Sequence, residues 1–191
     1  MVKSDTMVFQ KANSNEFDRI RAFYWTLIDA MAADNDKIGW KKGIYPTDDF
    51  LRDGLAKGTL YTLTHQQQLA ACVIVNSDTN EGYAGVPWRV DCADGDVLIP
   101  HALAVSPALQ GQGIGRAMVA QVQDLARRAG KRAVRLDILG TNGAAERLYT
   151  GMGFQFVQAK TMFYEDTGWT EYKLYEWPCE PCPFRSEERR V

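Results

Sequence analysis

The stretch 97–116, VLIPHALAVSPALQGQGIGR, limits what this chain can fold into more than any other. Its first nine residues include Val97, Leu98, Ile99, Ala102, Leu103, Ala104 and Val105, a mostly apolar run that predicts a buried strand. Ser106-Pro107 breaks the run, because proline cannot continue a ladder and restricts the residue before it. Gly111, Gly113 and Gly115 follow at alternate positions, and then a helix over about 113–129 with the apolar stripe Ile114, Met118, Val122, Leu125 and Ala129. A glycine-rich turn at a helix start leaves several backbone N–H groups free at the positive end of the helix dipole. That arrangement suits an anion, and a pyrophosphate best of all. A tight strand–helix turn with no ligand is the other reading of the glycines alone.

Two phosphate-binding loops fail against these letters. The dinucleotide fingerprint needs glycine where Arg116 or Met118 stands, and Gly130-Lys131 is followed by Arg132 rather than the Ser or Thr of a P-loop. What fits is Q-x-x-G-x-G, Gln110 to Gly115, after a strand ending Leu-Ala-Val. A second motif follows: the short strand Arg135-Leu136-Asp137-Ile138-Leu139, then Asn142-Gly143-Ala144-Ala145-Glu146-Arg147-Leu148-Tyr149 opening a helix, then Gly151-Met152-Gly153-Phe154. The two motifs, in this order and at this separation, resemble the GNAT superfamily of acetyl-CoA-dependent N-acetyltransferases over residues 97–157. Elsewhere the resemblance rests on element order.

Composition is that of an ordinary soluble globule, 46% hydrophobic and 24% charged over 191 residues, with room for a proper core. A net charge of −2 argues against nucleic-acid binding. No apolar run approaches the roughly 20 residues of a membrane span, and the first ten residues lack a signal-peptide core. Cys72, Cys92, Cys179 and Cys182 are too scattered for a disulfide framework, so a cytoplasmic protein with reduced thiols is expected. Cys179-Glu180-Pro181-Cys182 has no second Cys or His pair to complete a zinc site and reads as an extended terminus; no metal is expected. The expected organisation is one domain over 1–178 and a polar tail over 179–191.

Along the chain, residues 7–11 read as a strand, and Asn13 with Glu16 resembles a cap for a helix running to about Ala33. Asp34 to Pro46 reads as a loop, and Thr47 with Asp48 and Asp49 starts a shorter helix ended by Gly58. Residues 59–65 and 69–76 predict a hairpin, and 77–95 a long loop. Beyond the second motif, 154–157 starts a strand, and 162–165 with 171–177 form a final β pair. The order is α+β. The resemblance implies a mixed, mostly antiparallel, splayed sheet of about seven strands with about four helices on both faces.

The resemblance also implies roles. The backbone of Leu103, Ala104 and Val105 pairs with the pantetheine arm of acetyl-CoA, the amides of Gln110, Gly111, Gln112, Gly113, Ile114, Gly115 and Arg116 hold its pyrophosphate, and a strand N–H near Leu103 polarises the thioester carbonyl. Asn142 contacts the cofactor or caps its helix, and Tyr149 protonates the departing thiolate. An alkyl amine is only about 0.04% neutral at pH 7, so a proton acceptor helps. His101, two residues before Leu103 and hence expected on the same face of the strand, is one candidate, Asp137 the rival, and water alone the third.

The acceptor is expected between Trp40–Tyr45, the loop with Tyr83 and Trp88, and the hairpin with Tyr164, Glu165, Asp166 and Trp169; aromatics with carboxylates suit a cationic amine. A small-molecule amine leads, with a protein N-terminus or lysine as the alternative. A non-catalytic CoA-binding module is the reading from another class, and Asn142 with Tyr149 weighs against it. A Cys–His hydrolase lacks a nucleophile elbow at Cys72 or Cys92. A homodimer is left open.

Overall fold

The structure, a computed structural model, describes residues 6–32 and 38–179. Seven strands, β1 (Met7–Lys11), β2 (Leu60–His65), β3 (Gln68–Asn76), β4 (Val97–Val105), β5 (Ala133–Leu139), β6 (Gln155–Tyr164) and β7 (Gly168–Pro178), form one sheet in the order β1-β2-β3-β4-β5-β7-β6. Every neighbouring pair is antiparallel except β4 and β5. Among the described residues four α-helices accompany it: α1 (Phe17–Ala30), α2 (Asp48–Ala56), α3 (Ile114–Arg128) and α4 (Gly143–Thr150). The regions expected as two separate strands around 154–157 and 162–165 are one long strand, β6, because β7 supplies a continuous ladder along it. The Asn13 cap precedes a single 3₁₀ turn that runs into α1, with the Glu16 carboxylate accepting from Asn13 N at 2.9 Å. Part of the expected 34–46 loop and the Cys182 end of the C-x-x-C lie outside the described residues.

The sheet is covered on both faces. The apolar stripe of α3, with Ile114, Met118, Val122 and Ala126, packs on Ala71, Val73, Val75, Leu98, Leu136 and Ile138. On the opposite face, Leu60 of β2 and Cys72 and Ile74 of β3 meet Ile20, Tyr24 and Leu27 of α1 and Leu51 and Leu55 of α2. Alternation at period two sorts the side chains between these two layers. Thr47 Oγ1 accepts from Phe50 N at 3.0 Å and satisfies an orphan donor at the start of α2.

Over β5 to β7 no described helix covers that second face; the loop of residues 77–96 does, seating Tyr83 and Val86 on Val97, Ile99, Met162 and Leu174. A buried ion pair pins it. Arg135 Nε meets Glu176 Oε1 at 2.9 Å, with the two side chains 3% and 0% exposed. The remaining Glu176 oxygen accepts from Arg89 N and Val90 N, and Arg135 Nη2 donates to Val90 O.

The feature that shapes the site is the join between β4 and β5. Only Val97↔Ala133 and Leu98↔Val134 pair, after which the strands part. Pro100 follows two residues on and brings no N–H to any ladder. Next to it β4 bulges: Ala102 has φ +50°, and the register against β3 slips between Ile74↔His101 and Cys72↔Ala104.

Candidate active site

A cavity of about 630 Å³ runs through the opening between β4 and β5. At one end lie Gly111, Gly113 and the first turn of α3, with Asn142, Ala145, Leu148 and Tyr149 of the α4 segment. At the other lie Trp40, Tyr45, Tyr83, Tyr164, Asp166 and Tyr172. His101, Leu103, Ala104, Val105 and Asp137 line the passage.

The glycines have different reasons. Gly111 and Gly113 sit at φ +78° and +80°, and a Cβ on either would meet nothing within 4 Å. The turn therefore needs their left-handed backbone and leaves open space above it. Gly115 is ordinary in φ, but its Cβ would lie 3.3 Å from Leu148 Cδ2, so it lets α3 approach α4. The first amides of α3 have no intrahelical acceptor and face this open turn. A pyrophosphate fits there, and β4 beyond Leu98 offers a backbone edge that β5 leaves unpaired. Gln110, Gly111, Gly113, Ile114, Gly115 and Arg116 line the cavity; Gln112 does not, and its amide donates to Ala108 O at 3.4 Å. The Arg116 guanidinium turns aside to Gly151 O, leaving its main chain at the turn. Asn142 caps α4, its Oδ1 accepting from Ala145 N at 3.0 Å, while also lining the cavity.

Tyr149 is buried edge-on to Phe154, and burial followed by the nearby Asp137 charge pushes its phenol up, so it stays protonated through neutral pH. Asp137 lies in β5, at the level of His101 if the short parallel register is continued. Its Oδ2 accepts from both Tyr83 and Tyr164 hydroxyls at 2.8 Å, while Oδ1 takes no hydrogen bond among the described residues. Desolvation raises its pKa, and the two phenols only partly offset this.

His101 departs from expectation. The bulge at Ala102 adds a residue to the alternation, so Leu103 packs toward α3 while Ala102 and Ala104 pack toward α1 and α2. His101 sits edge-on to Phe50 of α2 and does not share a face with Leu103. Its Nε2 meets Asn76 Oδ1 at 2.7 Å. The Asn76 amide nitrogen is committed to Asp78 Oδ2, so Asn76 offers its oxygen and His101 carries the proton on Nε2. Burial lowers its pKa, Asp78 opposing, and at neutral pH Nδ1 is the unprotonated nitrogen.

Of the expected acceptor walls, Trp40, Tyr45, Tyr83, Tyr164 and Asp166 line the cavity. Trp88 packs instead on Tyr83 and under the Arg135 guanidinium, and Trp169 is 74% exposed against Phe163. Sequence reasoning missed Tyr172, whose signal was the alternation Tyr172, Leu174, Glu176 on one face of β7. It also missed Tyr24, whose hydroxyl donates to Ala102 O at 2.8 Å and holds the bulge.

The sequence model of the Acetyltransferase (GNAT) family matches residues 20–154, over two thirds of the chain. N-alpha-acetyltransferase RimI of Mycobacterium tuberculosis is 34% identical over 93 residues, 49% of this chain and 56% of that protein. An L-methionine sulfoximine/L-methionine sulfone acetyltransferase of Salmonella typhimurium is 36% identical over 93 residues, 47% of this chain and 53% of that protein. The chain thus spans about half the length of these curated relatives. Among solved structures, a GNAT-family acetyltransferase of Streptococcus agalactiae superposes with a TM-score of 0.74 at 20% identity, over 91% of this chain and 96% of the other. Another, yncA of Salmonella typhimurium, solved with its cofactor acetyl-CoA, gives 0.67 at 19% identity over 93% and 96%. Because the family model covers well over half of its length, the chain belongs to the acetyltransferase (GNAT) family.

Proposed function

We propose that this protein is an N-acetyltransferase that moves the acetyl group of acetyl-CoA directly to a primary amine, most readily a small-molecule amine, with both substrates bound together. The observation that carries the reading is the continuous cavity between β4 and β5, which joins an anion-binding turn to a carboxylate-lined chamber. Two ligands entering from opposite ends meet at the bulge.

Acetyl-CoA supplies an activated thioester. The open turn at Gly111 and Gly113 and the first amides of α3 hold its pyrophosphate. The unpaired edge of β4 at Leu103, Ala104 and Val105 receives the pantetheine arm, and a main-chain N–H at the bulge polarises the carbonyl. Asp137, with an open Oδ1 and a raised pKa, takes the proton from the incoming ammonium. His101 is the rival base through Nδ1. Tyr149, a protonated phenol on the turn side, gives a proton or hydrogen bond to the leaving sulfur. The free thiols of Cys72, Cys92 and Cys179 fit a reducing, cytoplasmic setting.

The test is thiol release from acetyl-CoA over a panel of amines and peptides, with a calorimetric titration of acetyl-CoA beside it. Binding with amine-dependent release supports the reading. Binding without release from any acceptor would favour a CoA-binding module.

A further inference from the structure

The acceptor chamber has a chemistry that narrows the amine. Its walls are rings from separate parts of the chain: Trp40 and Tyr45, whose centroids lie 5.8 Å apart, face the chamber with Tyr83 and the Tyr164–Tyr172 pair, 4.8 Å apart. Two carboxylates join them from different elements, Asp137 of β5 and Asp166 of the β6–β7 turn. Arg116 is the one lysine or arginine among the described residues lining the cavity, and it lies at the turn end, its guanidinium on Gly151 O. Among the described residues on the acceptor side, Lys41 gives its ammonium to the main-chain oxygen of Asp166 at 3.0 Å.

Such a chamber rejects an acceptor that carries its own carboxylate. Asp137 and Asp166 would face the anion with no described lysine or arginine lining that end of the cavity to meet it, and like charges in a poorly hydrated space weaken binding by about a thousandfold or more. Electron-rich ring faces and carboxylates favour positive charge instead.

Resting on the acetyl-transfer reading, we propose that the acceptor is a compact alkylamine bearing a second cationic group and no carboxylate. Its reacting nitrogen lies at Asp137, and its second cation lies between Asp166 and the rings of Tyr45 and Tyr172. Both carboxylates have raised pKa values, chiefly through desolvation, and a dication relieves the cost of ionising them together. The class differs from an amino-acid acceptor, which needs a basic side chain for its carboxylate.

The experiment uses three probes of matched length: 1,4-diaminobutane, n-pentylamine and 4-aminobutyrate. Each is titrated calorimetrically into the full chain saturated with CoA, and each is assayed for thiol release from acetyl-CoA. The diamine is expected to bind roughly 10-fold or more tightly than pentylamine, the worth of one partly desolvated cation contact, with aminobutyrate weakest. In Asp166→Asn the diamine-to-pentylamine ratio should fall toward one. Equal binding of the three, no measurable diamine binding, or a preference for pentylamine or aminobutyrate overturns the class, and the wild-type series decides this even if the variant fails to fold. Diamine-selective binding without thiol release would leave the class standing and sink acetyl transfer. Release that ignores the far-end charge would do the reverse.

Discussion

At Asp137, burial raises the carboxyl pKa and two phenol hydrogen bonds lower it, and burial wins. The folded state therefore holds this proton more tightly than the unfolded chain, whose carboxylate titrates near about 3.9, so this group's contribution to stability falls as pH rises through the raised value. Wherever the side chain is ionised, its burial costs the fold stability. Asp137→Asn should hold or raise Tm at pH 7 while kcat/KM drops about 10² to 10⁴-fold and its acidic limb disappears. Thermal scans beside a pH–rate profile check both halves, and a lower Tm with an unchanged profile would mark a structural carboxylate. His101 shifts the opposite way, so a limb due to it would lie below about 6.5, and His101→Ala should leave the Asp137 limb in place. Tyr149→Phe keeps the ring packed on Phe154 and loses only the hydroxyl. Its kcat should fall about 10² to 10⁴-fold with acetyl-CoA affinity nearly unchanged; wild-type turnover would assign thiolate protonation to solvent. These three residues were legible as candidates because each sits inside a motif or beside one. Their ranking was not, since it depends on Tyr83, Tyr164 and Asn76, which are at least 25 residues away from the side chains they hold.

Elements explain the rest of the site. The turn at 110–113 and the start of α3 work because two glycines take left-handed backbone and a third lets α4 approach. Gly113→Glu adds strain at φ +80° and a carboxylate where a phosphate would lie, so acetyl-CoA binding should vanish in a protein that still gives a cooperative melt. Full affinity in a folded variant would move the anion site elsewhere. The 77–96 loop read from sequence as irregular chain, and it is, but it is anchored by Glu176 and Arg135, which look like unremarkable strand charges in the letters. Glu176→Ala strands a buried guanidinium and frees two amides; a loss of about 3 to 5 kcal/mol by denaturant titration is expected. A change below about 1 kcal/mol would mean that water enters and solvates Arg135.

For the molecule as a whole, a ligand that bridges the turn, β4 and α4 stabilises the native state by mass action. At 100 times its Kd, acetyl-CoA should add about 2.7 kcal/mol, or roughly 5 to 10 °C in Tm for a chain of this size. Gly113→Glu should abolish the shift. No shift in the wild-type protein would contradict the cavity as its binding site. No described helix is long and apolar enough to cross a membrane.

Local pattern determined most of the elements. A nine-residue apolar run, period-3.6 stripes, Thr47 at a helix start and glycines at turns act over a few residues, and they alone specify β4, α3, α2 and the hairpin ends. The pair of motifs determined the family. Tertiary structure decided what short-range rules cannot reach. The parting of β4 from β5 reflects which backbone edges find partners, with Pro100 the single letter that marked the place. The bulge at Ala102, held by Tyr24 from α1, set His101 and Leu103 on different faces, because one added residue reverses a period of two. Only the assembled sheet brought Trp40, Tyr45, Asp137, Asp166 and Tyr172 around one chamber, since their side chains meet through folding across more than a hundred residues of chain.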